Sequence, residues 1–123
     1  MTDLPETSRH SRPVMRLIAS HRWPLQDEKT LQAAFAAALE RADLPFEREV
    51  ALGGGDIIDF LIEDLGVELK LSGQRRQIWR QCSRYCAHAR IGTLLLCSSA
   101  AMGLPDVIHG KRVHVASLGR GWL

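Results

Sequence analysis

No apolar run in this chain approaches the ~20 residues that cross a bilayer, and the polar N-terminus lacks the apolar core of a signal peptide. These absences lead us to expect a soluble, cytoplasmic protein with no membrane partner. Cysteine is scarce. Cys82, Cys86 and Cys97 cannot all pair with one another and lack the C-x-x-C spacing of common zinc sites, so they are expected to be reduced and buried. There is no internal repeat and no low-complexity segment. What remains is an ordinary globular composition of 123 residues, 46% of them apolar, enough for one core and too few for two. The expected organisation is one domain over 1–123. Its first 12 residues are expected to be loosely held, and a C-terminal helix and edge strand to fill 99–123.

Net charge is only +2, but the charges are not evenly spread. Between 56 and 70, Asp56, Asp59, Glu63, Asp64 and Glu68 stand against Lys70 alone. Between 74 and 90 there are Arg75, Arg76, Arg80, Arg84 and Arg90 and no acid. An acidic pocket beside a basic helix suits a metal-dependent enzyme acting on a polyanion. A solvated helix face that happens to use arginine is the plain alternative.

The informative stretch is 56–70. Ile57, Ile58, Phe60, Leu61 and Ile62 form a β-branched and aromatic run, Asp64-Leu65-Gly66 gives a turn signal, and a second run follows through Val67, Leu69 and Leu71. A β-hairpin is the simplest fold for it. Alternate residues of a strand point to opposite faces, so Glu68 and Lys70 share a face, ~6.6 Å apart along the strand. Asp59 falls among apolar neighbours. An unpaired buried charge is costly, so Asp59 needs a partner.

Around that hairpin, Val14, Leu17 and Ile18 predict a short helix from Pro13 to His21, with Pro in its first turn. Its neighbourhood carries Arg9, Arg12, Arg16 and Arg22, which could reach a phosphate backbone or merely solubilise. Asp27 is the expected N-cap of a helix running to about Ala42. Leu31, Ala34, Phe35, Ala38, Leu39 and Ala42 give it one apolar stripe that packs on a sheet. Glu28 extends that stripe, or simply sits well against the helix dipole. Phe46 to Leu52 is the first strand. Gly53-Gly54-Gly55 turns the chain into the hairpin, since no helix or lysine follows as a phosphate-cradling P-loop would require. After Ser72-Gly73 a helix is expected from Gln74 to about Ala89, with Ile78, Cys82, Tyr85 and Ala89 buried, Gln81 at the border, and Arg76, Arg80 and Arg84 on another face. Ile91 to Ser98 is a continuous apolar run, a strand buried on both faces. The helix before it makes a crossover, so this strand runs parallel to that of Glu68. Residues 101–108 are expected to form a short helix, Gly110-Lys111 a turn, and Arg112 to Leu118 a last strand.

Asp59 followed by Glu68-Leu69-Lys70 on consecutive strands resembles the PD-(D/E)XK nuclease superfamily, with Ile58 where the name has Pro. Gln81 and Tyr85, one helical turn apart, resemble the Q-x-x-x-Y motif of its RecB-type branch, which includes phage exonucleases. The resemblance covers about 27–98. It implies an α/β fold, a three-layer α/β/α restriction-endonuclease-like core of order αβββαβ around a mixed sheet. It further implies that Asp59, Glu68, the main-chain carbonyl of Leu69 and, in the first helix, Glu28 bind Mg²⁺, with Mn²⁺ able to substitute. Lys70 would activate water or stabilise the transition state, and Gln81 and Tyr85 would complete the catalytic set. Arg76, Arg80 and Arg84 would hold DNA phosphates. Cys82 and Cys86 cannot complete the four-cysteine iron–sulfur site of some relatives, because Cys97 is the only other cysteine. Two alternatives stay open. One is a Holliday-junction resolvase, a homodimer with Trp79, Trp122 and Met102 at its interface. The other is a catalytically silent module that binds DNA or protein.

Overall fold

The structure, a computed structural model, describes residues 3–119. In chain order the elements are α1 (Ser11–Ala19), α2 (Glu28–Arg41), β1 (Glu47–Gly53), β2 (Asp56–Ile62), β3 (Leu65–Lys70), α3 (Arg75–Cys86), β4 (Thr93–Ser98), β5 (Val107–Ile108) and β6 (Lys111–Ser117). The order expected for 27–98, one helix, three strands, one helix and one strand, is present. The fold is α/β, with one six-stranded mixed sheet ordered β1-β2-β3-β4-β6-β5.

Asp27 caps α2 as its sequence position demands, its carboxylate accepting the Thr30 N–H at 2.7 Å. The stripe from Leu31 through Phe35 and Leu39 is buried against Phe60, Ile62, Val67, Leu69, Leu95 and Cys97 of the sheet. Ala42, at the end of the predicted stripe, is exposed. The opposite face carries a second core in which Ile78, Cys82, Tyr85 and Cys86 of α3 meet Ile58, Leu61, Leu94 and Leu96. Neighbouring β4 residues therefore serve different cores, which is why that strand is apolar throughout. β3 and β4 are parallel, with Lys70 beside Ser98, and α3 is the crossover between them. All three cysteines are free and buried. Burial pushes the Cys82 thiol up to about 12, so it is no nucleophile at neutral pH.

Several expectations need correction. The hairpin turn is at Glu63-Asp64, not at Asp64-Leu65-Gly66: Ile62 pairs with Leu65, and Leu65 and Gly66 belong to β3. Gly66 is there because space is lacking. A Cβ at that position would lie 2.6 Å from Ile58 Cδ1 and 2.7 Å from Ile91 Cδ1. Residues 101–108 form no helix; they run irregularly into β5, and the turn to β6 is at His109-Gly110. Pro105 has no N–H to give a helix and holds Leu104 away from helical angles, and Gly103 adds its own entropic cost. The α3 helix stops at Cys86, three residues short of Ala89. The leading segment is tied down from Thr7 onward: the Thr7 hydroxyl bonds the His114 ring, the Ser8 N–H donates to Thr93 Oγ1, and Arg9 pairs with Glu63.

Candidate active site

At Asp59 the alternation of β2 slips. Ile58 packs on the α3 side of the sheet, whereas Phe60, two residues on, packs edge-on against Phe35 of α2 at 4.8 Å. β1 slips with it: Arg48 lies over the Phe60 ring, Val50 joins Ile58, and Glu49 between them has φ +49°. The regular β2–β3 pairing extends no further than Phe60 with Val67. Beyond it side chains take over from the ladder. The Leu69 N–H donates to Asp59 Oδ2 at 2.9 Å, and the Asp59 N–H donates to Glu68 Oε1 at 3.2 Å.

Two more groups complete this knot. Gln32 of α2 donates from Nε2 to Asp59 Oδ1 at 3.2 Å, and Lys70 Nζ stands 3.2 Å from Glu68 Oε2. One ammonium thus serves two carboxylates. Glu68 is only 3% exposed. Its burial, and then the charge of Asp59, push its carboxyl up to about 7 against the pull of Lys70. Asp59 is also raised, chiefly by burial, with the Leu69 N–H and Lys70 opposing and Glu49 adding to the rise. Glu28, one turn of α2 before Gln32, is raised by its own partial burial and senses both Lys70 and Asp59.

Among the described residues no group of three or more His, Cys, Asp or Glu side chains is arranged to hold a metal ion. Glu28 is thus in electrostatic range of the pair without joining it in a ligand cluster. Mg²⁺ does not require such a cluster, because it typically takes one or two protein carboxylates and keeps waters or substrate phosphate in its other positions. Two hard carboxylates, short of positive charge and each pushed towards protonation, are a donor set that fits it.

On the other side of Lys70 opens a cleft of about 440 Å³. Lys70, Gln77, Arg80, Gln81 and Arg84 line it. The four α3 residues stand at i, i+3, i+4 and i+7, so they share one helix face. Arg76 is off that face and is not among the cleft's walls. Arg84 commits its Nε to Asp56 Oδ1 at 3.0 Å, and His88 Nε2 meets Asp56 Oδ2 at 2.8 Å, a clamp that the sequence did not suggest. Tyr85 is buried, and its hydroxyl donates to the Ile57 carbonyl at 2.8 Å. Burial, then the charges of Glu68 and Asp59, raise its phenol, so it stays a neutral donor holding the backbone two residues before Asp59.

The structure therefore brings Asp59, Glu68, Lys70 and Leu69 together, sets Glu28 within range, and puts Gln81, Arg80 and Arg84 on the adjoining cleft. Nothing in the sequence alone marks Gln32 or Gln77, although each lies four residues from a candidate site residue, Glu28 and Gln81 respectively. Glu49 gave no signal, because a left-handed backbone at a residue other than glycine has no local signature. Of the residues considered for a dimer interface, Trp79 is partly exposed, Met102 packs on the α3-side core, and Trp122 lies outside the described residues. No described helix is long and apolar enough to cross a membrane. Comparison of the chain with family models, curated proteins and solved structures finds no match.

Proposed function

We propose that this protein is a Mg²⁺-dependent nuclease that hydrolyses phosphodiester bonds in DNA, on a restriction-endonuclease-like core. The observation that carries this reading is the interlocked pair of Asp59 and Glu68, with Lys70 against Glu68 at the mouth of a basic cleft. Asp59 and Glu68, with the Leu69 carbonyl beside them in sequence, would hold the ion. When bound, it would polarise the scissile phosphate and lower the pKa of an attacking water.

The protein's own groups do the rest. Gln32 and the Leu69 N–H fix both oxygens of Asp59, so that its orientation is set before substrate arrives. Tyr85 anchors the strand that carries it. Lys70 lies between the buried pair and the cleft, where its ammonium would stabilise charge developing on the phosphoryl oxygens. Arg80, with the free nitrogens of Arg84, would hold flanking phosphates, contacts that position a strand without reading its sequence. Gln77 and Gln81 would serve sugar and phosphate oxygens from the same face.

Lys70→Ala tests this directly. Turnover on linear DNA with Mg²⁺ should fall by orders of magnitude while DNA affinity stays within a few fold, since the ammonium acts mainly in the transition state. Cleavage at near wild-type rate by the variant would remove Lys70 from the mechanism.

A further inference from the structure

A second, smaller pocket adjoins the cleft. It has a volume of about 130 Å³ and shares Lys70, Ser72, Gly73 and Ile78 with the larger cleft. Whole small-molecule ligands occupy ~300 Å³ or more, so this one suits a single ring. Its character also differs from that of its neighbour. Ile78 and Met102 give it apolar walls, Ser72 and Ser98 give it hydroxyl-bearing ones, and Lys70 and Arg75 bring two cations.

The walls are held in place. The Ser99 N–H donates to the Lys70 carbonyl at 3.2 Å, Ser99 Oγ donates to the Leu71 carbonyl at 3.1 Å, and the Ala100 N–H donates to Ser98 Oγ at 3.1 Å. The segment leaving β4 is thereby tied to the end of β3, and the pocket lies between it and the start of α3. Gly73 turns the chain at the pocket's edge with φ +127°, a backbone conformation that residues with a side chain rarely adopt.

We infer that this pocket takes one unpaired nucleobase next to the scissile phosphate, and hence that the substrate is a single strand or a frayed end. The inference rests on the nuclease reading and narrows it. The ring would lie between Ile78 and the polarisable Met102 thioether, which favours aromatic faces. Serine hydroxyls would meet its polar edge, and Lys70 would meet the phosphate of the same nucleotide. A base stacked and paired in a duplex cannot enter a recessed pocket of this size, so it must first leave the stack.

The test is binding of the full chain, in EDTA so that no cleavage occurs, to an oligothymidylate and to an abasic sugar–phosphate strand of equal length. Wild type should bind the base-bearing strand about tenfold more tightly, the scale of one well-stacked base. Ala101→Leu, which fills the pocket, and Met102→Ala, which removes a wall, should each lose that preference and bind the abasic strand as wild type does. Equal affinity of wild type for the two strands, or an unchanged preference in Ala101→Leu, would overturn the inference. The two ideas fail separately. A base preference without any cleavage in Mg²⁺ would keep the pocket and end the nuclease reading; cleavage without preference would do the reverse.

Discussion

Two carboxylates and one ammonium meet at this site, and Glu68, the most deeply buried of the three, carries the largest shift. In the metal-free protein it keeps its proton up to about pH 7, whereas an unfolded glutamate loses it near pH ~4.3. Between those values the folded state binds more protons than the unfolded one, so stability falls as pH rises. The stabilisation is fully present at the acid end of that window and is gone by its upper end. Its size is on the order of 4 kcal/mol at most, at ~1.4 kcal/mol per pKa unit. Urea unfolding of metal-free wild type and Glu68→Gln at pH 5 and pH 8 should show a clearly smaller decline in the variant. His114, lowered chiefly by burial, pulls the other way and drops out of that difference. Equal declines in the two proteins would mean that Glu68 is ionised throughout. Glu68 and Lys70 are legible because strand alternation puts them on one face, and Asp59 because it is an acid among apolar neighbours, whereas the slip of β2 that turns Asp59 to Glu68 belongs to the folded sheet. Gln32 stands one helical turn from Glu28, but its bond to Asp59 depends on how α2 crosses the sheet, which a single sequence does not state.

At the level of elements, the strongest signals were periodic and the weakest were punctuation. The stripe of α2, the apolar run of β4 and the parallel crossover through α3 all follow from spacing and burial, and all are present. In the sequence, Asp64-Leu65-Gly66 reads as a turn because aspartate and glycine are turn-forming residues. The actual role of Gly66 is to make room beneath α3, where Ile58 and Ile91 fill the place of a side chain, and only the packed structure supplies that reason. Gly66→Ala should therefore overpack the α3-side core and cost ~1–3 kcal/mol, measurable by chemical denaturation. A neutral substitution would show that the two isoleucines can step aside. The short helix expected over 101–108 is absent, because Gly103 and Pro105 weigh against it.

Across the whole molecule, charge is segregated in space as it is along the chain, though with a correction. The basic helix does stand beside the acidic hairpin, but Arg84 shares Asp56 with His88, while Arg80 makes no ion pair among the described residues and faces the cleft. On the proposed reading Asp59 and Glu68 form a cation site and not a structural ion cluster. Thermal unfolding of wild type, Asp59→Asn and Glu68→Gln, each with EDTA and with Mg²⁺, tests it without any substrate. If the pair awaits a cation, removing one charge relieves repulsion, so the metal-free variants should melt at the wild-type temperature or slightly above it. Mg²⁺ should raise the melting temperature of wild type alone, because it binds the native state. A structural cluster predicts the opposite, since breaking a buried pair costs ~3–5 kcal/mol. Metal-free variants that melt many degrees lower, with a wild type indifferent to Mg²⁺, would contradict the account.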